Sequence, residues 1–458
     1  MYTPHTQSDI SEMLDAVGVA SLEELVRVPD ALALGEPLAV PPGLPELELL
    51  RVMTAYSERN QALEDISFLG AGSYRHYIPP VVPAIVMRGE FLTAYTPYQA
   101  EVSQGYLQAI YEWQTYMCLL TGLDIANASV YDGATALAEG AIMALNATGR
   151  RAILISEAVH PNYRAVLKTY MRGMDVTIEE LPYSPGNGAT DFSALAQRLA
   201  EKRFAAVAVQ SPNFFGAIDV PPDAARRAIE AAGTVLIGVV AEAMSLGVLR
   251  TPASWGAQIA VGEAQSFGVP VAYGGPYVGF IAATKEHMRR IPGRLAGKSL
   301  DVRGKPAYTL TLQAREQHIR REKATSNICT NQAHCALCAT VYLAAVGATG
   351  LRQCATLNVE RVRTLAEKVS GVAGFTRRFT SATFNEVAIR VPEGTSATVV
   401  LEALRERKIL GGVDLGRWYP ELKDTILMAA TELTTDAQID ALAGALCEIA
   451  KEHTLVRA

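Results

Sequence analysis

The sequence predicts an α/β protein with a mainly parallel sheet in a large domain, followed by an α+β C-terminal domain. In the middle of the chain, short runs rich in Val, Ala and Ile alternate with amphipathic helical patterns. Near-continuous apolar strands are typical of a parallel sheet that is buried on both faces. Beyond residue 319 the pattern changes to helices combined with a strand of alternating polarity, which indicates a separate α+β unit.

The composition fits a protein with a large core. Hydrophobic residues make up 49% of the 458 residues and charged residues 19%, which excludes an intrinsically disordered chain. The net charge of −6 argues against a nucleic-acid-binding protein, whose binding face is usually basic. No apolar run approaches the roughly 18–20 residues of a membrane helix, and Met1–Glu12 lacks the layout of a signal peptide. We therefore expect a cytoplasmic protein that binds neither nucleic acid nor a membrane.

Residues 1–66 predict a helical arm. Helical patterns begin at Ser8 and at Ser21, where a serine N-cap precedes acidic residues, and a third pattern covers Glu46–Asn60. Because this region has no strand pattern, we expect the arm to pack across another surface.

Residues 67–318 predict the large domain. The predicted strands are Ala152–Ile155, Val176–Glu180, Ala205–Gln210, Val235–Val240, Gln258–Val261 and Val278–Ala283. The predicted helices are Gly105–Leu120, Ala134–Asn146, Pro161–Arg172, Phe192–Lys202 and Ala224–Ala232. Alternating strands and helices favour parallel strands joined by crossover helices.

Residues 319–458 predict the smaller domain. Its predicted elements are helices near Gln332–Gly347 and Leu357–Ser370, strand Phe384–Val391, helix Ala397–Glu406, strand Ile426–Ala430 and helix Asp436–His453. This mixture indicates a compact α+β fold.

The cysteines and a histidine near residue 335 raise the question of a metal site. Cys329, His334, Cys335 and Cys338 lie close together in the sequence, but no second Cys or His pair follows to complete four ligands. Cys335 and Cys338 lie on one face of a predicted helix, where free cysteines are usually small buried apolar residues. We therefore predict no metal site.

Polar residues follow several predicted strands or open the next helix. Asp132 or Gly133 starts a helix, whose free N–H groups suit a phosphate, although a simple N-cap explains them equally well. His160 lies beyond the carboxyl end of a strand, where ligands bind in parallel sheets, or it is a structural histidine. Glu242 ends another strand, where its carboxylate could pair with a ring nitrogen or a metal, or be solvated.

Two loops also carry candidate site residues. Tyr95, Tyr98 and Glu101 precede the Gly105 helix, and their alternative interpretation is a packed turn. Residues 311–327 hold Arg315, His318, Arg320, Arg321 and Lys323, and they end in Thr325, Ser326 and Asn327. A solvated helix face explains the charges, whereas the hydroxyl and amide side chains look like donors for an anion.

Four long motifs resemble the glycine cleavage system P-protein family, and within it the subunit 1 chains of organisms that split the enzyme in two. The motifs are Ser67–Pro80, Leu92–Glu101, Leu119–Ser129 and Gln317–Gln332. The resemblance covers nearly the whole chain. It implies a pyridoxal-phosphate (PLP) enzyme fold of the aspartate-aminotransferase type (fold type I). It also implies the decarboxylation of glycine, with release of CO2 and transfer of the aminomethyl group to the lipoyl arm of the H-protein.

The sequence departs from the catalytic members of this family at the cofactor anchor. Such chemistry needs a lysine to hold PLP, and Gln265 occupies that position in Gly262–Phe267. Glu242 fills the acid position, where aspartate is expected, and His160 and Asp132 match the ring-stacking histidine and the phosphate turn. The resemblance therefore implies a vestigial site on this chain, with PLP bound by the partner, P-protein subunit 2.

The resemblance also suggests which residues reach the partner's site. The catalytic candidates across the interface are Tyr95, Tyr98, Glu101 and His318, and Thr325, Ser326 and Asn327 are candidates for bonding the partner's PLP phosphate. Arg315, Arg320 and Arg321 could receive the substrate carboxylate or an acidic H-protein. The family implies a heterotetramer of two copies of each subunit. Two alternatives remain, a purely structural scaffold for subunit 2 and a self-sufficient PLP enzyme that uses another lysine.

Overall fold

The fold was analysed in a computed structural model. It describes residues 4–26, 28–29, 31–34, 38–60, 66–324 and 326–457, with backbone only for 453–457. Contacts divide the chain into two units, Met1–Gln61 and Ala62–Ala458. The predicted boundary at residues 318 and 319 lies inside the second unit and stays a prediction.

The first unit contains two α-helices among its described residues, α1 (Gln7–Val17) and α2 (Glu46–Ser57). Thr6 caps α1: its hydroxyl accepts a hydrogen bond from the Asp9 N–H, and the Asp9 carboxylate accepts one from the Thr6 N–H. The helix predicted from Ser21 is wrong. Residues Glu23–Leu25 form a single 3-10 turn that follows Leu22, and no side chain caps this turn.

The second unit begins with short elements that lead into the large sheet. These are β1 (Ile66–Ser67), α3 (Val81–Val86), α4 (Gly89–Leu92), α5 (Gln104–Thr121), β2 (Ile125–Ala126), α6 (Gly133–Thr148), β3 (Ala152–Ser156), α7 (Pro161–Met171), β4 (Thr177–Leu181), α8 (Leu195–Leu199), β5 (Phe204–Gln210), α9 (Asp223–Ala231), β6 (Val235–Val240), β7 (Ile259–Glu263) and β8 (Gly279–Ala283). The predicted helix Phe192–Lys202 is shorter than expected, because regular helix is confined to α8.

These strands form a seven-stranded sheet in the order β2-β8-β7-β6-β5-β3-β4. Neighbours from β4 to β7 are parallel, whereas β8 runs antiparallel to both β7 and β2. Successive residues of a strand face opposite sides, so Ile153 packs with α6 and α7 while Leu154 packs with α8 and α9. The prediction of a mainly parallel sheet buried on both faces is confirmed. The carboxyl ends of β3, β6 and β7 therefore lie at the same edge.

The remaining elements build a second large sheet with its helices and contribute to two smaller sheets. They are β9 (Ala296–Leu300), β10 (Pro306–Leu310), α10 (Gln317–Arg320), α11 (Ala333–Ser370), β11 (Thr376–Arg377), β12 (Glu386–Arg390), α12 (Ala397–Glu406), β13 (Ile409–Leu410), β14 (Val413–Asp414), β15 (Thr425–Ala429) and α13 (Asp436–Arg457). Strands β9 and β10 form a two-stranded sheet, and β13 pairs with β1. Strands β11, β12, β15 and β14 form an antiparallel sheet. Its core is shared with α12, α13 and the second half of α11.

Helix α11 joins the two helices predicted in this region. Gly347 has φ 61° and ψ −176° inside the run, so a kink replaces the predicted loop. By length and composition α11 could cross a membrane, yet half of its most apolar stretch is buried in the protein. Cys335 and Cys338 are buried on it, and burial raises the pKa of their thiols to about 12 and about 11. This is the behaviour of a core helix.

Candidate functional site

Gln265 lies just beyond β7, at the position where the resemblance places a cofactor lysine in catalytic relatives. The side chain is 2% exposed. Its Oε1 accepts a hydrogen bond from the Tyr74 N–H at 3.0 Å, and its Nε2 donates to the carbonyl oxygens of Tyr74 at 3.0 Å and Val269 at 2.7 Å. All the main hydrogen-bonding capacity of the amide is therefore used.

Glu242 follows β6 and pairs with a histidine that the sequence analysis did not single out. Its Oε2 contacts His76 Nε2 at 3.2 Å, and the His76 Nδ1 contacts Glu432 Oε2 at 2.9 Å. Met244 N–H and the Ser266 hydroxyl donate to Glu242 Oε1. Burial disfavours the imidazolium, but the two carboxylates outweigh burial and raise the pKa of His76 to about 10. His76 is thus a buried cation between two anions.

The start of α6 is capped by carboxylates of the same chain. Asp132 accepts a hydrogen bond from the Thr135 N–H at 2.7 Å, and Glu263 Oε2 accepts one from the Gly133 N–H at 3.0 Å. Glu263 Oε1 also accepts from the N–H groups of Gln265 and Val278. Burial raises the pKa of Glu263 to about 7 against these hydrogen bonds. The helix N-terminus, which could bind a phosphate, is therefore occupied by Glu263.

His160 is also tied into the structure. Its Nδ1 accepts a hydrogen bond from the Asn162 N–H, so its Nε2–H donates to the Ala71 carbonyl oxygen at 2.8 Å. The ring stacks on Tyr163 with centroids 5.0 Å apart. Burial lowers the pKa of His160 to about 4, so the ring is neutral. Its role here is that of a structural histidine.

The residues at this edge do not fit PLP. We call His76, Glu242, Glu263, Gln265 and Glu432 the closed cluster. The Gln265 amide stands where the lysine would be. Glu242, the acid that would meet the pyridine nitrogen, is already paired with His76. The helix N-terminus that would meet the phosphate already donates a hydrogen bond to the Glu263 carboxylate. A bound cofactor would have to displace each of them.

The loop candidates are placed very differently. Tyr95 and Tyr98 are 73% and 74% exposed, and Glu101 is also exposed. His318 is exposed as well, with its Nδ1 3.7 Å from Glu316 Oε2. No hydrogen bond joins these four residues to one another within the described part of the chain. Their role as catalytic residues across an interface stays a prediction.

The second loop is only partly available for the predicted phosphate contact. Thr325 lies outside the described residues. The Ser326 hydroxyl accepts a hydrogen bond from the Ile328 N–H at 3.0 Å, and Asn327 is exposed. The structure therefore leaves the role predicted for these residues open.

One of the predicted anion-binding arginines is used within the chain. Arg315 donates to the carbonyl oxygens of Ile291 and Gly293, the latter at 2.8 Å. Arg320 and Arg321 are exposed. Two nitrogens of the Arg315 guanidinium are therefore used within the chain, and the expectation that Arg315 receives a substrate carboxylate or an acidic H-protein stays a prediction.

Sequence reasoning missed four residues that shape these regions, His76, Glu263, Arg294 and Glu432. His76 lies in the recognised motif Ser67–Pro80, and Glu263 directly precedes the loop containing Gln265. Nothing local marks Glu432 as the second partner of His76, because the two residues are far apart in sequence. Arg294 follows Gly293 in a turn and had no pattern around it.

Comparisons with known proteins show the family to which this chain belongs. Residues 1–446 match the family model of the glycine cleavage system P-protein. The probable glycine dehydrogenase (decarboxylating) subunit 1 of Moorella thermoacetica is 48% identical over 97% of this chain and 98% of its own length. A crystal structure of glycine decarboxylase (P-protein) of the glycine cleavage system, in inhibitor-bound form, is 44% identical with a TM-score of 0.90, covering 98% of this chain and 100% of that one.

A more distant structure shows the breadth of the fold. The C-DES lyase with glycine covalently linked to its PLP cofactor has a TM-score of 0.59 at 14% identity, over 84% of this chain and 96% of that one. At this identity the likeness shows the fold alone, which is that of PLP-dependent fold type I enzymes. Together, the fold and the match over nearly all residues show that the chain belongs to the glycine cleavage system P-protein family.

Proposed function

We propose that this chain is the non-PLP-anchoring subunit of a two-chain glycine dehydrogenase. With subunit 2 it would decarboxylate glycine and pass the aminomethyl group to the lipoyl arm of the H-protein. The observation that carries the proposal is the closed cluster, since Gln265, His76 and Glu263 occupy every anchor that PLP would need here. The cofactor would then be held by subunit 2.

The exposed loops are the surface that this chain would contribute to the shared site. Tyr95 and Tyr98 present phenol groups to solvent on one loop. Large apolar rings that are about three-quarters exposed are typical of interface residues. In the complex their hydroxyl groups would contact glycine or hold a proton beside it, with Glu101 and His318 as further candidates. Ser326 and Asn327, with Thr325, would bond the partner's phosphate.

The proposed assembly contains two copies of each subunit and works in the cytoplasm. The H-protein would approach the shared site from solvent, and exposed Arg320 and Arg321 are suited to an acidic partner.

The test is an absorbance spectrum of this chain with added PLP, first alone and then with subunit 2, combined with a glycine decarboxylation assay. We expect no PLP-specific band from the chain alone, and both the band and turnover in the complex. A band from the isolated chain that borohydride fixes to one of its own lysines would contradict the proposal.

Phenylalanine variants separate a catalytic contribution from a purely structural one. Tyr95→Phe and Tyr98→Phe should each lower complex turnover by about 10²-fold if the hydroxyl handles a proton, without changing assembly. Tyr56→Phe on α2 is the matched control. Unchanged turnover in both loop variants would favour the scaffold alternative.

A further inference from the structure

Arg294 is a buried arginine that has no acidic partner among the described residues. Its residue is 8% exposed, and no carboxylate of the described residues lies within 4.0 Å of its guanidinium. Buried charges are normally paired, because removing a charge from water is costly. Because Arg294 lines a cleft, an anion could reach its guanidinium from outside the chain.

Only one corner of the guanidinium is engaged within the described part of the chain. Nη1 donates to Asn331 Oδ1 at 3.2 Å and lies 3.5 Å from Thr96 Oγ1. Nε and Nη2 make no hydrogen bond to described residues. These two nitrogens form the parallel pair of donors that matches the two oxygens of a carboxylate or phosphate.

Asn331 holds the arginine in this orientation. Its Nδ2 donates to the Ala128 carbonyl oxygen at 2.9 Å and to Ser129 Oγ at 3.1 Å. The amide oxygen must therefore point toward Arg294. Because Asn331 fixes Nη1 of Arg294, little conformational entropy is lost when Nε and Nη2 bind a ligand.

The N-terminus of α11 is a second feature that favours anion binding. Helix α11 begins at Ala333, and no side chain among the described residues caps its N-terminus. The first turn of this long helix offers free N–H groups and the positive end of the helix dipole. Residues 330–334 and Arg294 line the same cleft, whose volume is about 350 Å³. Two independent sources of positive potential therefore meet in one cleft of ligand size.

The loop that carries Tyr95 also borders this cleft. Tyr95 and Thr96 line it together with His334. We infer that the cleft, which we call the anion pocket, binds a small oxyanion through Nε and Nη2 of Arg294 and the N-terminus of α11. The oxyanion is either the carboxylate of glycine or the phosphate of the partner's cofactor. The assignment of the oxyanion to glycine or to the cofactor rests on the proposed function, whereas the anion pocket itself is inferred from the geometry alone.

The test measures the binding of acetate, glycine and inorganic phosphate to the full chain by titration calorimetry at constant ionic strength. Arg294→Lys keeps the charge but loses the paired donors, so affinity should fall about tenfold. Thr96→Asp brings an internal carboxylate to the guanidinium and should abolish binding without unfolding the protein. Arg363→Lys changes an exposed arginine on α11 and is the matched control.

The probes also identify the source. Tighter binding of acetate and glycine than of phosphate assigns the pocket to the substrate, and Arg294→Lys should then raise the KM for glycine in the complex. Tighter binding of phosphate assigns it to the partner's cofactor, with weaker PLP retention in the variant complex.

The inference is overturned if no probe binds, or if Arg294→Lys and Thr96→Asp bind as the control does. These results do not depend on turnover. A complex that lacks glycine decarboxylation while the chain still binds anions would refute the proposed function and leave the pocket intact.

Discussion

The closed cluster and the anion pocket differ in how their polar groups are partnered. In the closed cluster, His76 is held between Glu242 and Glu432, and Gln265 uses both ends of its amide. In the anion pocket, Arg294 keeps an edge without a partner among the described residues, and Tyr95 is largely exposed. A saturated polar network stabilises a fold, whereas an unsaturated one is available to bind. The comparison therefore indicates that the anion pocket, and not the closed cluster, is available for binding a ligand.

The largest effect is expected from His76→Ala. This change leaves Glu242 and Glu432 buried without their shared cation, so the free energy of unfolding should fall by about 3–5 kcal/mol. Urea denaturation of the full chain measures it. A loss below about 1 kcal/mol would show that the cluster is not a saturated network.

A somewhat smaller effect is expected from Gln265→Lys. The lysine loses the acceptor for the Tyr74 N–H and places an ammonium group in a buried site, which should cost about 2–4 kcal/mol. It should not confer PLP absorbance, because His76 and Glu263 still occupy their positions. Gln99→Lys, at an exposed position, is the control in both measurements. PLP binding by Gln265→Lys at unchanged stability would break the comparison.

A pH-dependent effect is expected at Glu139, a buried acid beside Ser326. Burial raises the pKa of Glu139 to about 7 from its ordinary 4.5, and the Ser326 hydroxyl offsets this only in part. A raised acid pKa means that its favourable contribution is present below pH 4.5 and is lost as pH rises through about 7. Glu139→Gln should therefore stabilise the chain by about 1–3 kcal/mol at pH 8 and by much less at pH 5.

Thermal or urea unfolding at the two pH values tests this prediction. Glu101→Gln, at an exposed position, is the control variant. A gain for Glu139→Gln that is equal at pH 5 and pH 8 would mean that the carboxyl does not change its charge in the folded state across this range.

The smallest effect on stability is expected from Tyr98→Ala. Its ring is 74% exposed, so the free energy of unfolding of the isolated chain should change by less than about 0.5 kcal/mol. The same variant should weaken association with subunit 2, measured by sedimentation. Loss of stability without loss of association would place Tyr98 among the structural residues and sharpen the boundary between the two regions.

The sequence was sufficient for the large sheet, because buried parallel strands read as apolar runs between helices. The sequence was a weaker guide to the ends of helices, which depend on tertiary contacts, as at the turn after Leu22 and at the short helix α8. The continuous α11 was also missed, since Gly347 permits a kink that a sequence pattern cannot distinguish from a loop.

For the site, the resemblance pointed to Gln265 and Glu242 but not to what meets them. His76 reaches Glu242 across 166 residues of sequence, and Glu432 reaches His76 across 356. Such pairing depends on the tertiary fold, so a local sequence pattern cannot predict it. Of the loop residues predicted as candidates, Tyr95, Tyr98, Glu101, His318 and Asn327 are exposed. This exposure agrees with a surface role, and their catalytic or phosphate-binding roles stay predictions.

The reciprocal hydrogen bonds of Gln265 with Tyr74 have a consequence for how this chain could change over evolutionary time. A lysine at position 265 alone would bury an ammonium group without a partner. Removal of His76 alone would leave the carboxylates of Glu242 and Glu432 buried without their shared cation. Each of these single substitutions should therefore make the chain less stable than it is now. Folding stability thus opposes the appearance of a cofactor site at this position by one substitution at a time.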